Sequence, residues 1–80
     1  MIPLYGFLQG DTLGLLLLAD PEATARALAE QLLAAASVRV APPSAVCVVF
    51  EGRVLDPHVT LARAGMKALD RFEVVREVRS

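Results

Sequence analysis

Residues able to carry chemistry are few in this chain. His58 is its single histidine and Cys47 its single cysteine. A zinc site needs three or four ligands, and no other donor stands at ligand spacing from His58. After Asp56-Pro57 it reads as a solvated loop residue. Cys47 with His58 would make a nucleophile and its base only if a third group oriented the imidazole. Cys47 instead lies within Val46-Cys47-Val48-Val49-Phe50, which places it as a small hydrophobe on a strand. Being alone, it closes no internal disulfide. Ser37, Ser44 and Ser80 lack a second histidine to serve a triad. The glycines, at positions 6, 10, 14, 52 and 65, form no phosphate-cradling loop. Asp56 with Asp70 or Glu51 is the one carboxylate pairing to consider, and charges at strand ends are ordinarily solvated. No catalytic residue and no metal ligand is assigned, so an enzyme is not expected.

Composition narrows the field further. The chain has 80 residues, 55% of them apolar and 21% charged, with a mean hydropathy of +0.51. That excludes disorder, which requires low hydrophobicity and high charge, and it suits one domain spanning residues 1–80. Seven Arg and one Lys face nine acids for a net charge of −1, with no basic stripe. A nucleic-acid binder needs clustered cations to displace counterions from phosphates. A membrane span needs roughly 20 consecutive apolar residues. Gln9, Asp11, Asp20, Glu22, Arg26 and Glu30 interrupt every early run. The first residues show no basic segment and no A-x-A cleavage pattern, so a cytoplasmic location is expected.

The elements follow from local pattern. Met1–Leu8 reads as a strand through Leu4, Tyr5, Phe7 and Leu8. Gln9-Gly10-Asp11-Thr12 reads as a hairpin turn, and Leu13–Ala19 as the returning strand. Asp20-Pro21-Glu22 starts a helix, with Asp20 as cap and Pro21 in its first turn. The helix extends to about Ala36. Ala25, Leu28, Ala29, Leu32, Ala35 and Ala36 share its inner face, while Glu22, Arg26 and Glu30 stack on the wet side. Ser37–Ser44 is a connector, since Pro42-Pro43 cannot continue a helix. Val46–Glu51 is a strand dense in β-branched residues. Gly52 turns the chain into a short return strand, Arg53–Leu55. Thr60–Met66 suits one helical turn closed by Gly65. Arg71–Val78 alternates, with Phe72 and Val74 inward and Arg71, Glu73 and Glu77 outward.

This order, ββαββ, a helical turn and β, resembles the ubiquitin-like β-grasp, an α+β fold whose mixed sheet packs on one helix. Phe50-Glu51-Gly52-Arg53-Val54-Leu55, Thr60-Leu61, Met66 and Phe72-Glu73-Val74-Val75 carry that resemblance. A narrower one also holds. The chain is similar to the small γ-subunit, or B protein, of toluene and related aromatic monooxygenases. The similarity rests on Pro3, Phe7, Asp11, Val38-Arg39-Val40-Ala41-Pro42, Pro57, Thr60-Leu61, Ala64-Gly65-Met66 and Asp70 through Val75. It implies a non-catalytic subunit bound to the large subunit of a bacterial hydroxylase. The di-iron centre would lie in that partner, and this chain would hold no cofactor. A stand-alone ubiquitin-like interaction module of another assembly, such as a secretion system, is the alternative. Gly-Gly conjugation or sulfur transfer is not expected, because no Gly-Gly pair occurs anywhere.

Function should then lie in exposed apolar surface. Leu13, Leu15, Leu16, Leu17 and Leu18 put leucine on both faces of the second strand, which this topology leaves at the sheet edge. Ile2 and Leu4 fall on one face of the first strand, Tyr5 and Phe7 on the other. The surplus is covered either by the connector or a homodimer mate, or by a dedicated heteromeric partner. Tyr5 and Phe7 would anchor that partner. Leu16, Leu18, Val49 and Val75 would complete its site.

Overall fold

Side-chain alternation sorts the sheet into a buried and an open side. The computed structural model describes residues 1–9, 14–36 and 46–76. Its elements are β1 (Ile2–Leu8), β2 (Gly14–Ala19), α1 (Ala25–Ala35), β3 (Val46–Phe50), β4 (Arg53–Val54), α2 (Leu61–Ala64) and β5 (Arg71–Arg76). They form a five-stranded mixed sheet of order β2-β1-β5-β3-β4. The central pair β1–β5 is parallel and the remaining pairs are antiparallel. The α+β, ubiquitin-like architecture read from the sequence is thus the one observed. Residues 10–12 of the turn expected over Gln9–Thr12, Leu13 of the expected second strand, the expected connector Ser37–Ser44 and residues 77 and 78 of the expected last strand lie outside the described residues.

Helix α1 crosses one side of the sheet. It buries Ala25, Leu28, Ala29 and Leu32 against Leu4 of β1, Leu17 and Ala19 of β2, Val48 and Phe50 of β3, and Phe72 and Val74 of β5. Leu61 and Met66 close the end of this core. Gly6 is required here by close approach. A Cβ at Gly6 would stand 2.6 Å from Cζ of Phe72 and 2.9 Å from Cδ1 of Leu32. The Phe72 ring therefore occupies the space that a side chain on β1 would fill.

The helix start differs from the expectation at Asp20-Pro21. Thr24, not Asp20, caps α1, its side chain accepting from the Ala27 amide at 3.2 Å. Asp20 instead accepts from the Glu22 amide at 2.9 Å within a turn. The reason is tertiary. Thr24 and Thr60 form an isolated antiparallel bridge. Ala25 N–H donates to the Val59 carbonyl, and Leu61 N–H to that of Ala23. The starts of α1 and α2 are tied together, so the helix begins where that tie allows. Glu22 accordingly falls outside the helix, leaving Arg26–Glu30 as the ion pair on its wet side, at 3.6 Å. Ala35 is exposed and Ala36 half-buried, correcting their inner-face assignment. Replacing Thr24 by alanine should cost about 1 kcal/mol, read as a drop in Tm of about 4–8 °C for a domain of this size. An unchanged melting curve would remove Thr24 as the cap.

The short helix behaves as its sequence suggests. Thr60 caps it, accepting from the Arg63 amide, and Gly65 ends it in the left-handed region at φ +84°. The β3–β4 hairpin closes through Glu51 and Gly52, both at positive φ, the combination that matches sheet twist in a two-residue turn. Glu51 therefore belongs to the turn rather than to the preceding strand.

Candidate partner-binding face

The side of the sheet away from α1 is built by register. With Ile2, Leu4, Gly6 and Leu8 directed toward the helix, strand alternation turns Pro3, Tyr5 and Phe7 outward. Across β2, Pro3 pairs with Leu18, Tyr5 with Leu16 and Phe7 with Gly14. Across β5, Tyr5 pairs with Arg71 and Phe7 with Glu73. Farther along, Glu73 pairs with Val49 and Val75 with Cys47. Tyr5, Phe7, Leu16, Leu18, Val49 and Val75, the six residues singled out from the sequence, thus share this one face.

Their exposure is uneven. Leu16 and Leu18 are 58% and 59% exposed, and Tyr5 is 39% exposed. Phe7, Val49 and Val75 are half-buried. The end of the Phe7 ring reaches over Gly14 on the strand beside it, where an added Cβ would stand 2.6 Å from its Cζ. Gly14 is the vacancy that lets the ring lie there. Val54 also belongs to this face and was missed in the sequence. It is 67% exposed and pairs with Val49 across the β3–β4 hairpin. The signal was the Glu51-Gly52 dipeptide, because a two-residue turn fixes which residues stand opposite each other.

Strand β2 is the sheet edge on this side. One of its backbone groups is covered from α1, where Gln31 Nε2 donates to the Leu18 carbonyl at 2.7 Å. On the neighbouring strand, Pro3 has no amide to donate, and its carbonyl accepts from Leu69 on the β5 side. An edge carrying two exposed leucines is a pairing hazard unless another surface covers it.

The polar residues weighed for chemistry do not converge. His58 is exposed, and its amide donates to Oδ1 of Asp56 at 2.8 Å. Asp70 Oδ2 accepts from the Lys67 amide at 2.7 Å, and Glu51 faces Arg53 at 3.8 Å. Each carboxylate of the candidate pair is engaged locally. Among the described residues no group of three or more His, Cys, Asp and Glu could hold a metal ion, and no helix is long and apolar enough to cross a membrane. A groove of about 480 Å³ opens on the helix side, between α1 and the β3–β4 edge. Of its three charged members, Arg26 and Glu30 pair with each other and Asp56 accepts from the His58 amide, so it offers apolar wall without a convergent polar set. The open face of the sheet holds Leu16, Leu18, Val54 and Tyr5, four of the exposed large apolar residues.

Comparison with known proteins agrees with the fold and narrows the family. A family model described as "Toluene-4-monooxygenase system protein B (TmoB)" matches residues 1–75. No curated protein matches the chain. Among solved structures, a chain of a toluene 4-monooxygenase HD complex with the inhibitor 4-bromobenzoate superposes with a TM-score of 0.82 at 22% identity, covering 95% of this chain and 98% of that one. A Caldiarchaeum subterraneum ubiquitin gives 0.79 at 22% identity, covering 99% and 96%. The UBL domain of Plasmodium falciparum Dsk2 gives 0.77 at 21% identity, covering 95% and 97%.

Proposed function

Because the chain belongs to the toluene-4-monooxygenase system protein B family, we propose that it is a non-catalytic subunit that binds the large subunit of a bacterial multicomponent di-iron hydroxylase. The observation that carries this reading is the open sheet face. It is apolar across β2 and β1, and the domain's own helix covers only the opposite side. Burying such a face is favourable by about 25 cal/mol per Å² of apolar area removed from water. A standard interface takes about 800 Å² from each partner.

The work of this chain is to bind. Tyr5 and Phe7 supply rigid aromatic area, Leu16 and Leu18 extend it to the sheet edge, and Val49 and Val75 carry it across β5. In this reading the di-iron centre belongs to the large subunit, as the family's resemblance implies. Oxidation of the aromatic substrate takes place there, in the cytoplasm, and no step is routed through this chain's own residues.

Co-expression with the hydroxylase chains tests the proposal. A complex should purify with this chain and the large subunit at equal stoichiometry, with iron bound to the large one. Recovery of the chain alone, or with partners that hold no iron, overturns it.

A further inference from the structure

The open face carries an internal symmetry of charge. Twelve described strand residues point away from α1: Pro3, Tyr5 and Phe7; Gly14, Leu16 and Leu18; Cys47 and Val49; Val54; and Arg71, Glu73 and Val75. Only Arg71 and Glu73 among them are charged. They sit two residues apart on the central strand β5, about 6.6 Å along it at the usual rise. Both are exposed, and neither belongs to the ion pairs found among the described residues, Arg26–Glu30 and Arg53–Glu51.

We propose that, when its larger partner is absent, this face is closed by a second copy of the chain. The two sheets stack with their β5 strands antiparallel, so that Arg71 of each meets the partner's Glu73. A two-fold axis lying between the sheets, across β5 and over Phe72, generates that arrangement. An isologous contact requires a patch complementary to itself. One cation and one anion placed symmetrically about the axis meet that requirement, whereas two like charges would not. Stacked sheets lie about 10 Å apart, a gap that one Arg and one Glu span together.

The same axis orders the apolar residues. Tyr5 stands beside Arg71 and Phe7 beside Glu73, so Tyr5 comes opposite the partner's Phe7. Leu16 stands beside Tyr5, and Gly14 beside Phe7. Leu16 therefore meets the partner's Gly14, over which only the end of the Phe7 ring reaches. One aromatic ring thus faces another, and each Leu16 faces a glycine. A free subunit paired in this way hides its binding face until the larger partner displaces the second copy.

Sedimentation equilibrium of the isolated chain, with charge variants, tests this. The unaltered chain should be a dimer that dissociates on dilution. Arg71→Glu alone, or Glu73→Arg alone, makes both ion pairs of the dimer repulsive. Each should raise the dimer dissociation constant by about tenfold or more. The double swap, Arg71→Glu with Glu73→Arg, restores complementarity between copies and should return the constant to within about threefold of the original. Circular dichroism of the exposed-site variants confirms that each remains folded. A monomer at all concentrations, single reversals that leave the dimer intact, or a swap that fails to restore it each overturns the proposal. Hydroxylase binding separates the two readings. The swapped chain meets an unchanged partner surface and regains nothing there, so loss of the dimer and loss of the complex are distinct results.

Discussion

Replacing Phe7 and Leu16 together by alanine abolishes co-purification with the hydroxylase, while thermal unfolding remains a single cooperative transition. The two effects separate because of where these side chains stand. Leu16 is 58% exposed, so its loss removes little that the folded monomer uses. Phe7 is half-buried over Gly14, and its ring covers backbone rather than core. Interface anchors of this kind cost about 2 kcal/mol or more each on truncation. Two of them together are worth roughly a thousandfold in affinity, enough to lose a complex during purification. Arg26→Ala, on the helix side of the domain, should leave binding unchanged. A complex that survives the Phe7/Leu16 change places the partner elsewhere.

Phe72→Ala should bring the domain close to unfolding. The ring is 2% exposed at the centre of the core, and Phe→Ala changes at such sites cost about 3–5 kcal/mol. A domain of this length holds about 4–12 kcal/mol in total. Chemical denaturation should therefore show a midpoint lowered by a quarter or more, with an unchanged slope. Gly6 supplies the diagnostic. Gly6→Ala alone forces a Cβ to 2.6 Å from the Phe72 ring and should cost about 1–3 kcal/mol through overpacking. In the Phe72→Ala background only the end of Leu32 remains in the way, at 2.9 Å, and the same change should cost clearly less than in the unaltered chain. Additive costs in that cycle would mean that the ring does not occupy the Gly6 gap.

Much of this was legible because local pattern and tertiary fold agree. The alternation of Phe72 and Val74 with Arg71 and Glu73 set the faces of β5 unaided. Thr60-Leu61 and Gly65 specified a single capped turn in the same way. Where reading failed, longer-range structure had decided. Asp20-Pro21 has the chemistry of a helix start, yet the bridge from Thr24 to Thr60 moves that start downstream, and position 60 is remote in sequence. Ala35 and Ala36 lie on the correct helical face by angle, but the side chains α1 buries against the sheet end with Leu32. The binding face was legible in outline only. A run of leucines carries no alternation, so β2 could not reveal which of its members point outward. Pairing with β1 settled it, and the same logic of register exposed Val54. Arg71 and Glu73 were read correctly as outward, but only the assembled sheet shows them as the two charges among the described residues of that face.

The place of β5 in the sheet has a consequence for how the protein is made. The strand last in sequence lies at the centre of the order β2-β1-β5-β3-β4 and joins the β1–β2 hairpin to the β3–β4 hairpin. As the chain emerges from a ribosome, neither hairpin can reach its neighbour until residues 71–76 have appeared. Until then Leu4, Leu28 and Val48 have no Phe72 to pack against, and the edge of β1 that pairs with β5 is open. Contacts between distant segments come late because the loop between them must close first. Folding is therefore deferred until β5 has been made, and the nascent chain is at its most adhesive just before that strand emerges. Making the larger subunit close by in time and space would meet a kinetic need of this chain as well as a structural one.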